Sequence, residues 1–147
     1  TGSDSSNIPN LSKSRDKSIT LLPFLMLGNS IDDQRFIEGL IDEIYIDLGK
    51  IGELRVIPKM SAEKYIKTSQ SLFETAKKLN ADYIISVNGQ KYRDLFRFRI
   101  QLIDRLNDKQ LWSKSFDVDT SNITDIFSLQ SQMAQSIVAE VEEVITP

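Results

Sequence analysis

Cysteine and histidine are both absent from this 147-residue chain. Their absence excludes disulfides, thiol nucleophiles, metal sites built on thiolate or imidazole, and the usual base that activates a serine. Carboxylates, lysines, tyrosines and oxygen-liganded cations are the chemistry that remains. Most enzyme classes are therefore excluded before any motif is considered.

The chain also lacks a strong excess of one charge, since 18 Lys and Arg oppose 21 Asp and Glu for a formal net charge of -3. Binding to nucleic acid would therefore need a local basic patch. No apolar run approaches the roughly 18 to 20 residues that cross a bilayer. We predict a soluble, cytoplasmic chain with no direct membrane insertion; the alternative is a periplasmic domain of a membrane-anchored regulator.

The composition, 40% hydrophobic and 27% charged, is typical of a globular domain. Residues 1–17 differ from the rest, because they combine Ser, Asn, Pro and charged residues with almost no apolar periodicity. That pattern predicts a flexible linker or a cloning remnant. Residues 18–147 are predicted to form a single α/β domain.

Strands and helices alternate in the first half of the domain. Residues 19–27 are apolar at odd and even positions, which is expected of a strand covered on both faces. Its paired part is predicted at Ile19 to Leu22, with Pro23 near its exit. A long amphipathic helix is predicted from Ser30 to Gly52, and a second strand at residues 54–57. Ser71 opens a capping box for a helix that ends at Asn80.

In the second half of the domain, apolar residues recur at every second position. Tyr83 begins a strand, and further on Phe96, Phe98, Ile100 and Leu102 alternate with polar residues. Turns are predicted at Arg93-Asp94 and Asn107-Asp108. A final helix is predicted to follow, capped by Asn122 or Thr124. The order β-α-β-α-β-β-β-α predicts an α/β (α+β) fold with a mixed sheet of about five strands and three main helices.

Several segments follow one another as in a known family. They are KSITLLPF at 17–24, FIEGL at 36–40, LRVI at 54–57, ADYII at 81–85, QLID at 101–104 with LW at 111–112, and DIFSLQ at 125–130. In this order they resemble the TolB-amino-terminal-like domain associated with bacterial class III adenylate cyclases and transcriptional regulators. The resemblance implies a non-catalytic accessory domain. Val87 stands where the family has a glycine, and Gly89 follows two places later.

One candidate site is the turn before the first helix, where Gly28, Asn29 and Ser30 precede Asp32 and Asp33. Free N–H groups at a helix start can hold an anion, and paired carboxylates can hold a hard cation. One glycine is no phosphate-loop fingerprint, and the two aspartates would repel phosphate. Helix capping explains these residues equally well. We therefore predict no metal and no cofactor, and keep the turn as a candidate anion or cation site.

A second candidate is a set of polar residues that share one parity, predicted to line the outward face of two neighbouring strands: Lys91, Arg93, Arg97, Arg99 and Gln101. A solvated face is the simplest interpretation. The neighbouring aromatic residues are placed on the opposite, core parity: Tyr92, Phe96 and Phe98. That placement leaves no stacking platform for nucleic acid, so a protein with an acidic surface is the expected partner.

These observations predict a non-catalytic regulatory or protein-interaction domain of a bacterial signalling protein. The expected parent is an adenylate cyclase-related protein, and the expected partner is its neighbouring domain, another protein or a second copy of this chain. Glu140, Glu142 and Glu143 on the final helix are the candidate acidic counterparts in a homodimer. Two alternatives stay open: a small-anion or nucleotide sensor domain of a transcriptional regulator that uses the Gly28 turn, and a hydrolase that uses carboxylates.

Overall fold

A computed structural model describes residues 17–22, 26–27, 31–66, 71–122 and 124–145. The elements, in chain order, are β1 (Lys17–Leu22), β2 (Met26–Leu27), α1 (Ile31–Leu48), β3 (Leu54–Val56), α2 (Lys59–Ile66), α3 (Leu72–Lys78), β4 (Tyr83–Tyr92), β5 (Leu95–Asp104), β6 (Lys109–Asp119) and α4 (Ile126–Ile145). The predicted linker lies outside the described residues except for Lys17, which begins β1. Within these ranges no helix is both long and apolar enough to cross a membrane.

The strands form one mixed sheet in the order β3-β1-β4-β5-β6, and the short β2 pairs with β4. β1 runs parallel to both β3 and β4, whereas β4, β5 and β6 form an antiparallel meander. The predicted fold class is confirmed, and the predicted order of elements along the chain is close to the observed one. Two short elements, β2 and α2, were not predicted. In the case of α2, the sequence KMSAEKYI carries no extended apolar stripe that would indicate a helix.

The helices cover the two faces of the sheet unequally. α1 and α4 pack on one face over the main core, which includes Ile19, Leu40, Phe98 and Ile137. α2 and α3 pack on the other face over a smaller cluster that includes Leu22 and Ile84, in β1 and the start of β4. β1 is therefore covered on both faces, which explains its apolar residues at both parities.

The contact between α1 and α4 depends on a glycine. Gln130 of α4 is buried, and its Nε2 donates a hydrogen bond to the carbonyl oxygen of Phe36 in α1 at 2.8 Å. A Cβ atom at Gly39 would lie 2.3 Å from that same Nε2. The missing side chain at Gly39 therefore allows the amide of Gln130 to reach the backbone of α1.

We predict that Gly39→Ala destabilises the chain. In an exposed helix this change would stabilise by about 1 kcal/mol, because alanine has the higher helix propensity. Here the added methyl group displaces a buried amide, so we expect a net loss of roughly 1–3 kcal/mol in the free energy of unfolding, measured by urea denaturation. The control is Gly52→Ala, where no atom lies within 4 Å of the new Cβ. Equal stabilities of the two variants would contradict the assignment.

The predicted caps and turns are confirmed at several positions. The Ser71 side chain accepts a hydrogen bond from the backbone N–H of Glu74 at 3.0 Å. Asn80, Arg93 and Asp108 all have φ between 52° and 57°, the left-handed conformation that ends α3 and closes the two hairpins. Asparagine and aspartate adopt this conformation more readily than most residues.

Two predicted helix boundaries are wrong. α1 ends at Leu48 rather than at Gly52, and the following turn returns Ile51 to the core, so the apolar period continues after the helix has ended. α4 is capped neither by Asn122 nor by Thr124. Instead, Asp125 Oδ1 accepts a hydrogen bond from the backbone N–H of Ser128 at 3.1 Å. Aspartate is as good an N-cap residue as asparagine, so the sequence alone does not choose between them.

Candidate functional site

One side of β4, β5 and β6 faces away from α1 and α4 and is exposed along most of its length; we call it the open face. Its exposed members come from three adjacent strands: Asn88, Gln90, Tyr92, Leu95, Arg97, Arg99, Ser115 and Asp117. The opposite side of the same strands carries the buried Phe96, Phe98 and Ile100. The alternation in β5 therefore gives one core face and one wet face, as predicted.

The structure brings only some of the predicted basic residues together. Arg97 and Arg99 lie on the open face, and Gln101 follows them on the same side, where its Nε2 donates to Oε1 of Gln110 at 2.6 Å. Lys91 does not join them, because it pairs with Phe96 and therefore lies on the helix-covered side. Arg93 lies in the hairpin turn. The predicted shared face is thus wrong for Lys91 and Arg93.

The two-residue turn at Arg93-Asp94 explains this correction. It pairs Tyr92 with Leu95, so odd-numbered residues of β4 share a face with even-numbered residues of β5. The same offset places Tyr92 on the open face, and its predicted core position is also wrong. Parity along the chain does not reveal this exchange, because the register between β4 and β5 is set by the length of the turn.

Tyr92 and Leu95 form an apolar spot at the hairpin end of the open face. Their exposed fractions are 70% and 43%, although both are large side chains. The guanidinium carbon of Arg93 lies 5.3 Å from the centroid of the Tyr92 ring, within the range of a cation–π contact. An exposed tyrosine with an apolar neighbour is a typical anchor of protein interfaces.

Arg97 and Asp117 form a two-pronged ion pair across β5 and β6. The distances are 2.7 Å from Nε to Oδ1 and 3.0 Å from Nη2 to Oδ2. The hydrogen bonds to Arg97 lower the pKa of the Asp117 carboxyl, and those to Asp117 raise the pKa of Arg97. Arg99 lies opposite Ser115 and has no ion-pair partner among the described residues. The centre of the open face therefore carries one uncompensated positive charge.

We expect the Asp117 carboxyl to titrate below the ordinary aspartate pKa of 3.8. Arg97→Gln should move this pKa back up, because the charged hydrogen-bond donor is lost. Carboxyl ¹³C NMR titration measures the change. Asp119 is the internal control, since the Ser121 hydroxyl and backbone N–H lower its pKa and stay in place in the variant. A pKa for Asp117 that is unchanged by the substitution would contradict the ion pair.

The pH dependence of stability follows from the direction of that shift. A carboxyl whose pKa is lower in the folded state stabilises the fold at pH values above its unfolded pKa. The contribution of Asp117 to the free energy of unfolding is therefore present above about pH 4. It is lost as the pH falls through the lowered pKa of the Asp117 carboxyl. Both partners are exposed, so the effect on stability is small.

Of the candidate site at the turn before α1, the structure describes the side chain of Asp33. Gly28, Asn29 and Ser30 lie outside the described residues, and so does the side chain of Asp32. Asp33 is buried and bound by Lys91, whose Nζ lies 2.9 and 3.0 Å from its two carboxylate oxygens. In the described ranges no group of three or more acidic residues is placed to hold a metal ion.

Comparison with known families decides what kind of domain this is. Residues 15–136 match the family described as HilA/YgeH-like transcriptional regulator, second domain. The chain belongs to this family. Because the HilA/YgeH-like second domain is part of a regulator, the chain is a regulatory accessory domain. The matched residues include α1, the open face and the first part of α4.

One relative comes from a different kind of protein. This HilA/YgeH-like second domain is 26% identical over 121 residues to a Rhizobium meliloti (strain 1021) protein named "Putative adenylate cyclase 3". The match covers 82% of this chain but 20% of that protein. The chain thus spans about a fifth of the length of this relative.

Solved structures share the fold. TolB from Acinetobacter baumannii superimposes with a TM-score of 0.58 at 16% identity, over 90% of this chain and 29% of TolB. Lipoprotein GNA1162 from Neisseria meningitidis gives 0.59 at 18% identity, over 88% and 99% of the two chains. At these identities the likeness shows the fold alone, and the expected TolB-like architecture is confirmed.

Proposed function

We propose that this chain is a non-catalytic regulatory domain that docks through its open face on a neighbouring domain of a longer protein. One observation supports this most directly. The helices α1 and α4 cover one side of β4 to β6, while the other side keeps Tyr92 and Leu95 exposed beside Arg97 and Arg99. An exposed apolar spot with adjacent charges is typical of a surface that binds another protein.

The charges on the open face favour an acidic protein surface as the partner. Arg99 is uncompensated among the described residues, and Arg97 can exchange its bond to Asp117 for one to a partner carboxylate. Nucleic acid is a poorer partner. The face holds two arginines, one of them paired, and the whole chain has a net charge of -3.

The comparisons support the role of an accessory domain. The family is part of a transcriptional regulator, and the Rhizobium meliloti relative shares only a fifth of its length with this chain. We infer that the domain accompanies different effector domains, among them the adenylate cyclase that the name of this relative indicates. The absence of histidine and cysteine from the sequence agrees with a role outside catalysis.

The alternatives have less support. A sensor that uses the Gly28 turn would rest on residues outside the described ranges, and Asp33 beside it is engaged by Lys91. A homodimer in which the open face contacts Glu140 would have to replace an ion pair within the chain, because Glu140 Oε2 lies 3.1 Å from Nζ of Lys114. A neighbouring domain is therefore the favoured partner.

Charge reversal at the centre of the open face tests the proposal. We expect Arg97→Glu with Arg99→Glu to weaken association with the rest of the protein, supplied as a separate chain, by at least about tenfold, or 1.4 kcal/mol. Association of the unmodified chain should also weaken as salt rises, because the charges are exposed. Analytical ultracentrifugation and calorimetry measure both effects. Arg97→Glu also places a carboxylate opposite Asp117 and should lower the melting temperature modestly, so circular dichroism is used to show that the variant is folded.

The matched control reverses two exposed charges away from the open face, Arg55→Glu in β3 and Lys77→Glu in α3. It makes the same change in net charge and should leave association nearly unaltered. If the open-face variant associates as tightly as this control, the open face is not the docking surface. Association that does not respond to salt would also count against the role of Arg97 and Arg99.

A further inference from the structure

Two charged residues of the open face have no ion-pair partner, and their charges are opposite. Arg99 is one of them. The other is Asp119, which shares the parity of Asp117 in β6 and is exposed on the same face. Among the described residues neither forms an ion pair, whereas Arg97 and Asp117 between them pair with each other at 2.7 Å. The open face thus presents one unpaired positive and one unpaired negative charge, separated by a neutral pair.

The strand register sets the spacing of the two unpaired charges. Arg99 lies opposite Ser115, and Asp119 lies further along β6, opposite Leu95. At about 3.4 Å per residue, the two backbone positions are roughly 14 Å apart. Hydrogen bonds between β5 and β6 hold this spacing and its direction. Asp119 also lies in line with Leu95 and Tyr92, so the negative charge borders the apolar spot.

The carboxylate of Asp119 is held in place by uncharged donors. The hydroxyl and the backbone N–H of Ser121 donate hydrogen bonds to its Oδ1 at 2.6 and 3.0 Å. These bonds lower the pKa of the Asp119 carboxyl, so it is ionised at neutral pH. They fix the position of the carboxylate without neutralising its charge. Asp119 can therefore form an ion pair with a cation from outside the domain.

The other residues on and beside the open face add no net charge. Its exposed β4 members are uncharged: Asn88, Gln90 and Tyr92. The adjoining turn adds one charge of each sign, from Arg93 and Asp94. The two arginines of β5 are balanced by the two aspartates of β6. A partner recognised through charge must therefore match the positions of the charges, because the face has no overall sign to attract it.

A uniformly acidic partner fits this arrangement only in part. Its carboxylates would be attracted by Arg99 but repelled by Asp119 at the other end of the spacing. A partner that carries a carboxylate at one position and a cation at the other gains at both. Selection of partners commonly uses such a repulsive element beside an attractive one.

We propose that the partner of the open face presents a carboxylate to Arg99 and a lysine or arginine to Asp119, with the two groups roughly 14 Å apart. This inference rests on the docking role proposed above and makes Asp119 a residue that determines specificity. The partner is acidic where it meets the arginines and basic beside the apolar spot. Docking has a single orientation, because turning the partner end for end brings like charges together.

Neutralising Asp119 in the longer protein tests the proposal, because the two kinds of partner give opposite results. Asp119→Asn keeps an oxygen that can accept from Ser121 but removes the charge. Hydroxyl-radical labelling of Tyr92, relative to the exposed Phe127, measures docking at the salt concentration where Tyr92 of the unmodified protein is half protected. We expect the docking equilibrium constant to fall about two- to fivefold, the effect of one exposed ion pair. A uniformly acidic partner would dock more tightly instead, because a repulsion is lost.

Two further variants complete the test. Arg99→Gln should weaken docking by a similar factor. Glu53→Gln makes the same change in net charge as Asp119→Asn at an exposed position beside β3, and it should leave the protection of Tyr92 unchanged. Circular dichroism shows whether each variant is folded.

The outcomes separate this inference from the docking role itself. If Asp119→Asn docks as tightly as the unmodified protein or more tightly, while Arg97→Glu with Arg99→Glu does not dock, only the proposed charge pattern of the partner is wrong. An equal loss in Glu53→Gln also overturns the pattern, because net charge then explains the effect. If the arginine variant leaves the protection of Tyr92 unchanged, the open face is not the docking surface and both proposals fail.

Discussion

The hydrogen bond from Gln130 to the carbonyl of Phe36, which Gly39 makes possible, joins the two long helices on one face of the sheet. Together with the apolar core beneath them, this contact fixes how α1 and α4 lie on the sheet. Because α1 and α4 together cover β4, β5 and β6 from one side, the aromatic core closes there. The shorter α2 and α3 cover the other side only over β1 and the start of β4. The open face is therefore a consequence of how this helix pair is placed.

Local signals predicted much of the fold. Apolar periods located the two long helices and the strand β5, while the Ser71 cap, the left-handed Asn80 and both hairpin turns lie where their side-chain chemistry predicts. The Gly39–Gln130 contact could not be predicted in the same way. A glycine inside a helix and a glutamine on an apolar stripe are both unfavourable locally, and only the meeting of two distant helices explains them.

The candidate site was predicted less well, because its composition depends on pairing between strands. Arg97 and Arg99 lie within one strand, so alternation alone placed them correctly on a wet face. Lys91 and Tyr92 lie across a turn, and the two-residue hairpin exchanges their faces relative to β5. This exchange replaces a lysine of the predicted basic surface with an exposed tyrosine. The surface that results is partly apolar, which is better suited to a protein partner than a uniformly basic stripe.

The central claim is that a HilA/YgeH-like second domain uses this open face to contact the rest of its protein. Hydroxyl-radical footprinting tests it most directly, because Tyr92 is 70% exposed in the isolated domain and tyrosine is readily oxidised. The labelling rate of Tyr92 should be compared between the isolated chain and the longer protein, with exposed Phe127 on α4 as the internal reference. The account predicts that Tyr92 is protected several-fold in the longer protein while Phe127 is labelled at the same rate. Equal labelling of Tyr92 in both would contradict it.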